Sequence, residues 1–299
     1  MATYPPVAPE NGANFTSTIH SISYPFIKTA NYKGRHVLIT GGMKGVGRAI
    51  VLSFARAGAS IISAVVDVSP DWQLHAEIVN AARESGHPDP EVILLAIDIS
   101  NEQGVRLSAP VFKEKFRDTI DVLVNSACFE APALPVLESD AETWWKTMEV
   151  NLRSMYLVSR HFMPLLLAPP DGLKTMININ NVAAHDLRPC TSAYGTSKAA
   201  ALKLTEFLMV EAASKGLLAY SVHPGAMLTD LAREGVPPGA LRDLSDSVDL
   251  ASDTVAWLAS ERREWLAGRY ISATWDMKEL LERESEIVKG DKLKVRLVV

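Results

Sequence analysis

The chain has 299 residues, 47% of them apolar and 22% charged, with a formal net charge of −5. That composition supplies a substantial core and argues against a disordered chain. With no basic run along its length, it also argues against a nucleic-acid partner. Two cysteines, Cys128 and Cys190, form neither a disulfide framework nor a metal motif, which suits a reducing compartment.

Residues 1–33 are rich in Pro, Ser, Thr and Asn and read as an extended N-terminal arm. They lack the basic flank and apolar core of a signal peptide, and no apolar run approaches the roughly 20 residues that span a bilayer. A soluble, cytoplasmic protein with no membrane partner is expected. "NFT" at Asn14 fits the glycosylation pattern only by chance. From residue 34 onward, short β-rich runs alternate with helical patterns. The runs are "RHVLIT" (35–40), "SIISAVV" (60–66), "EVILLAI" (91–97), "IDVLVN" (120–125), "TMININ" (175–180), "LLAYSV" (217–222) and "GRYISA" (268–273). The intervening segments, among them "GRAIVLSFARAGA" and "SAYGTSKAAALKLTEFLMVEAASKG", carry apolar residues at helical spacing. The fold class is therefore α/β, a single doubly wound parallel sheet of Rossmann type over residues 34–275. A C-terminal extension, 276–299, reads as a charged helix followed by the alternating "KLKVRL", a half-buried strand or arm over the pocket or a neighbouring subunit.

Ligands of such sheets bind beyond the carboxyl ends of the strands. After the first strand comes "TGGMKGVGRAI", in which Gly41, Lys44, Gly45, Val46 and Gly47 lead into an amphipathic helix. A turn without β-carbons lets backbone N–H groups approach a pyrophosphate, and the helix N-terminus adds the positive end of its dipole.

The spacing T-G-x-x-x-G-x-G resembles the short-chain dehydrogenase/reductase family, and further matches follow in order along the chain. Asp98 and Ile99 resemble the pair that members place against adenine. "NSAC" at 125–128, with Asn125 and Ala127, is similar to their N-N-A-G. Asn151 stands where they carry a catalytic Asn, and "YGTSK", with Tyr194 and Lys198, resembles Y-x-x-x-K. "PGAMLT", with Pro224 and Thr229, is similar to the P-G-x-x-x-T turn that holds the nicotinamide. "LLAYSVHPGAMLTDLA" and "ERREWLAGRYISATWDMKELL" resemble a fungal branch of the family whose substrates are unassigned. The resemblance implies an NAD(P)-dependent oxidoreductase interconverting a carbonyl and an alcohol on a small or medium, largely apolar molecule. It also implies a setting in fungal secondary metabolism and a homodimer or homotetramer.

The cofactor is NAD or NADP. Asp67, 20 residues after Gly47, can accept from the ribose hydroxyls of NAD and repels a 2′-phosphate, which leans the reading to NAD. Lys44 opposes it, because a basic residue at that position accompanies NADP in the family.

Tyr194 and Lys198 lie one helical turn apart on the same face. The ammonium is expected to lower the phenol's pKa from about 10 toward neutrality, making a usable acid and base. By resemblance, Tyr194 would protonate the substrate oxygen, Lys198 would also hold the ribose, and Asn151 would position a water. Asn181 departs from the family, which carries Ser there. An amide can still donate, but its donor and acceptor sit on separate atoms. Cys128 is a second departure, replacing a glycine beside the cofactor. Both replacements suit an alternative, a repurposed member acting as dehydratase, isomerase or cyclase, and a cofactor-binding regulator without turnover stands third. His185 and Asp186 read as polar side chains of a solvent-facing loop, since nothing else at ligand spacing supports a metal. His223 reads as structural, and Trp144 and Trp145 as helix-packing aromatics. Met227, Leu228, Leu231, Val236 and Leu241, in the stretch after the P-G turn, suggest a mainly apolar ligand.

Overall fold

The computed structural model describes residues 11–66, 72–115, 118–235 and 244–297. Seven strands form one parallel sheet: β1 (His36–Thr40), β2 (Ile61–Val66), β3 (Glu91–Ala96), β4 (Val122–Asn125), β5 (Thr175–Ile179), β6 (Leu218–His223) and β7 (Tyr270–Ser272). Each falls within its β-rich run except β6, which continues one residue further, to His223. Their order, β3-β2-β1-β4-β5-β6-β7, reverses direction between β1 and β4, the place where doubly wound sheets open a ligand crevice.

The central strands are buried on both faces because helices cover both, whereas the edge strand β3 buries only Ile93 fully. Alternate residues sort accordingly: Val37, Ile39, Val122 and Val124 pack on one side, and Leu38, Leu123 and Met176 on the other. The first layer contains α1 (Gly45–Arg56), α2 (Trp72–Glu84) and α8 (Val248–Ala259). The second contains α3 (Glu102–Lys115), α5 (Ser154–Leu167) and α6 (Ser192–Ala212). The long segment before β5 is α4 (Ala141–Met148) running into α5 through a π-helical turn, Glu149–Arg153. α7 (Asp230–Gly235) follows β6.

The described part of the N-terminal arm is a strap packed on the first layer. Tyr32 is fully buried and its hydroxyl donates to the Ala256 carbonyl at 2.6 Å. The His20 N–H donates to Thr274 and the Ser247 N–H to Ser21, both at 2.7 Å. Trp275, also fully buried, donates from its indole to the Gly12 carbonyl at 2.9 Å and meets the Phe15 ring at 5.1 Å.

The C-terminal extension forms two short helices, α9 (Met277–Glu282) and α10 (Glu284–Lys289), where one was expected. The alternating segment after them is no strand, and it lies against the sheet edge rather than over the pocket. Asp291 and Leu293 adopt φ of +44° and +64°, left-handed values that an extended strand does not tolerate. The Tyr270 N–H nevertheless donates to Leu293 at 2.8 Å, so the tail partly covers the edge strand β7, and Arg296 pairs with Glu206 of α6 at 2.7 Å.

Trp275→Ala removes the largest buried side chain joining the strap to the sheet. The expected cost is about 3–5 kcal/mol in denaturant unfolding, with faster proteolysis near residue 12.

Candidate active site

The glycine turn is dictated by close approach. Gly41 has φ +69°, and a Cβ there would lie 2.7 Å from Ala127 Cα, so the ends of β1 and β4 meet without side chains between them. A Cβ on Gly47 would fall on the Gly41 carbonyl oxygen. The Ser126 and Ala127 N–H groups both donate to Thr40 Oγ1, at 3.1 and 3.3 Å, which fixes the start of "NSAC" against β1. No side chain caps the start of α1: Lys44 is its N-cap residue without a capping bond, and both Lys44 and Gly45 are exposed. The first N–H groups of a twelve-residue helix are thus left without a side-chain cap, as a pyrophosphate cradle requires.

Thr229 faces this turn, its Cγ2 3.7 Å from where a Gly45 Cβ would stand. Its carbonyl accepts from Arg233 at 3.0 Å and its hydroxyl from the Ala232 N–H at 3.3 Å, opening α7. The Pro224–Thr229 turn is pinned by Asp246, whose carboxylate accepts from the Ala226 N–H at 2.7 Å. Asp98 folds back on Ser100, accepting from its N–H at 2.9 Å and its hydroxyl at 2.6 Å, with Ile99 packed against the second layer. Asn125 is buried and donates sideways to Asn178 at 2.8 Å, tying β4 to β5. Asp67, Val236 and Leu241 lie outside the described residues.

Asn151 sits in the π-helical turn, a wide turn that often marks functional sites. Its side chain accepts from the Phe129 N–H at 2.8 Å, donates to the Phe129 carbonyl at 2.8 Å and donates to Ser197 Oγ at 3.0 Å. One amide therefore binds the loop after β4 to α6. Lys198 is buried, with its ammonium donating to the Ile179 carbonyl at 3.1 Å and lying 5.4 Å from the Tyr194 ring centroid. Asn180 donates to the Lys198 carbonyl at 3.2 Å, closing the end of β5 onto the helix.

The tyrosine's electrostatics differ from the expectation. Burial pushes the Tyr194 hydroxyl well above its ordinary value, with Cys128 and Glu130 adding to the rise. Desolvation of the charged form outweighs the nearby ammonium. Cys128, where the family has glycine, makes its hydrogen bond to the Phe129 carbonyl, at 3.9 Å.

Asn181 is half-buried and begins the short turn after β5. Its Oδ1 accepts from the Ala183 N–H at 3.0 Å. Because an N–H donor selects the oxygen, the amide orientation is determined. The NH2 group has no hydrogen-bond partner among the described residues, leaving it able to donate.

His185 and Asp186 are not surface side chains. His185 Nε2 binds the Asn11 carbonyl of the strap at 2.8 Å and its ring meets Tyr270 edge-on at 4.8 Å. Asp186 is buried and paired with Arg188 at 2.9 Å. His223 is half-buried, and desolvation of its ring lowers its pKa to about 3, which keeps it neutral. Among the described residues no cluster could hold a metal ion, and no helix is long and apolar enough to cross a membrane.

Two site residues escaped the sequence reading. Trp144, taken as packing, lines the pocket beside Tyr194, its indole donating to Ser192 Oγ at 3.1 Å. Glu130 lines the same pocket. Its one signal was position, two residues past "NSAC" at the carboxyl edge of the sheet.

A doubly wound sheet with a glycine turn after β1 and a Tyr–Lys pair opening α6 defines a nicotinamide-dinucleotide oxidoreductase class. The model of the short chain dehydrogenase family matches residues 35–237. The chain is 43% identical over 293 residues to a short chain dehydrogenase of Monascus purpureus, mpl6, covering 97% of this chain and 99% of that one. It is 36% identical to the short chain dehydrogenase andI of Emericella variicolor over 287 residues, covering 96% and 97%. Among solved structures it resembles a 7α-hydroxysteroid dehydrogenase complexed with NADH and 7-oxo glycochenodeoxycholic acid, with TM-score 0.71, 21% identity and coverage of 84% and 97%. It also resembles an NADH-dependent reductase responsible for alginate metabolism, with TM-score 0.67, 23% identity and coverage of 81% and 96%. The chain belongs to the short-chain dehydrogenase/reductase family and is an NAD(P)-dependent enzyme of that family. None of these relatives favours the dehydratase, isomerase or cyclase alternative.

Gly47→Ala forces the glycine turn off the Gly41 carbonyl. Dinucleotide affinity in a fluorescence titration is expected to fall at least tenfold while the far-UV circular dichroism stays native.

Proposed function

We propose that the chain reduces a carbonyl on a small or medium, largely apolar molecule, within fungal secondary metabolism, in the cytoplasm and as a homo-oligomer. The observation that carries this reading is the free amide NH2 of Asn181 at the end of β5, beside a helix that opens with Tyr194 and Lys198. Exposed Tyr156 on α5 and Phe207 and Val210 on α6 support self-association.

A bound nicotinamide dinucleotide supplies the hydride. Gly41, Gly45, Val46 and Gly47 would present backbone to its pyrophosphate, while Pro224 and Thr229 would hold the nicotinamide end. Asp98, Ile99 and Ala127 would line the adenine and ribose path, with Asn125 bracing β4 behind it. We assign NAD, because Asp67 favours free ribose hydroxyls over a 2′-phosphate. Lys44 is the opposing charge, and NADP binding much tighter than NAD would overturn this assignment.

Asn181 and Tyr194 would share the substrate oxygen. The amide donates a hydrogen bond as negative charge develops there, and Tyr194 gives up its proton. An amide fixed as a donor suits polarisation of a carbonyl, where no acceptor is needed. Lys198 would hold the ribose and stabilise the resulting phenolate. Because the Asn151 amide is engaged with Phe129 and Ser197, positioning a water would fall to backbone in its π-helical turn.

The raised Tyr194 pKa gives this scheme a direction. Below that pKa the phenol is protonated, the form needed for reduction, whereas oxidation of an alcohol needs the phenolate. Carbonyl reduction, followed at 340 nm, should stay level through neutral pH, and alcohol oxidation should climb as pH rises. Tyr194→Phe should abolish both directions. Asn181→Ala should lower kcat by ~100–1,000-fold, the usual effect of losing one oxyanion donor. Undiminished turnover in Tyr194→Phe would refute the reading.

A further inference from the structure

The pocket beside Tyr194 has two acids in its wall, and they differ in how they are held. Asp140 is engaged as the N-cap of α4, accepting from the Thr143 N–H at 2.8 Å and the Thr143 hydroxyl at 2.7 Å. Glu130 has no hydrogen-bond donor among the described residues. It is only half-exposed, and its neighbours in the wall include Ala131, Pro132, Leu134 and Trp144. An acceptor withdrawn from water without a donor is costly, so a ligand that brings one is favoured. The place of Glu130 is also fixed. The residue before it, Phe129, is gripped at both its N–H and its carbonyl by Asn151, and its ring lies 4.8 Å from the Lys146 ammonium.

We propose that Glu130 is the second anchor of the substrate, hydrogen-bonding a substrate hydroxyl while the substrate carbonyl faces Tyr194, which makes the substrate a hydroxylated carbonyl compound with an apolar body against Trp144. This rests on the reductase reading above. A hydroxyl fits better than an amine for two reasons. Lys198 already acts on Glu130 as a nearby positive charge, and a second cation there would meet its repulsion. Burial also lifts the Glu130 carboxyl to about 7, against the opposing pull of Lys198. Near neutral pH the group can therefore accept from a hydroxyl or donate to it, matching both capacities of an alcohol or phenol.

The test uses the dinucleotide-loaded full chain with 2-, 3- and 4-hydroxyacetophenone and their three methyl ethers. Binding is measured by calorimetry and turnover at 340 nm. In the wild type at least one hydroxy isomer should bind ~10–100-fold more tightly than its ether, the range expected of a hydrogen bond to a charged group. Glu130→Leu should collapse that ratio toward one, and Glu130→Gln, whose amide still accepts and donates, should retain part of it. A dinucleotide titration confirms that each variant is folded. If Glu130→Leu does not fold, the size-matched Glu130→Gln carries the comparison alone, with the ratio expected to shrink. Equal binding of hydroxy compound and ether, or a ratio unchanged by the variants, overturns the proposal, as does absence of binding by all six compounds. Glu130-dependent binding of a hydroxy compound without any change at 340 nm supports the anchor and counts against the reductase reading instead.

Discussion

The amide of Asn151 is the interaction on which the rest of the site depends. It holds both backbone groups of Phe129 and the hydroxyl of Ser197, so the loop after β4 and the start of α6 move as one piece. Cys128 and Glu130 flank the gripped residue, and Tyr194 and Lys198 flank Ser197. A single buried side chain thus sets where a thiol, a carboxyl, a phenol and an ammonium meet. The π-helical turn makes this possible, because the extra residue per turn carries Asn151 inward without ending the helix that continues as α5.

Around that brace the chemistry is divided among groups whose states are set by burial. The phenol is kept protonated by desolvation, which favours proton donation over proton abstraction. The Asn181 amide has its acceptor engaged with Ala183, so the part left unengaged is a donor. Replacing a serine hydroxyl by this amide therefore narrows the group to one role, and that role is the one a developing oxyanion needs. The half-buried, neutral His223 and the paired Asp186 sit nearby without adding charge to the substrate side.

The sheet was legible because each strand is a short β-rich run between helical patterns, and the Tyr194–Lys198 pair because one helical turn places both on one face. The glycine turn was legible from local spacing as well. Contacts between distant segments were not. His185 looked like a surface residue because its partner, the Asn11 carbonyl, lies 174 residues away. The lysine's effect on Tyr194 was read from proximity alone, whereas depth of burial, which no spacing encodes, dominates. Glu130 and Trp144 have no mutual periodicity, and only the folded loop after β4 and the docking of α4 against the start of α6 bring them to one pocket. The tail failed as a strand through two left-handed residues, Asp291 just before the alternating pattern and Leu293 within it.

The central claim is that the residues gathered by Asn151 support hydride transfer to a substrate carbonyl. The most direct measurement follows deuterium from dinucleotide labelled at nicotinamide C4 into the product by mass spectrometry. The account predicts one deuterium on the former carbonyl carbon, taken from a single face of the nicotinamide. A product formed without label, or with the dinucleotide left fully reduced, would contradict it.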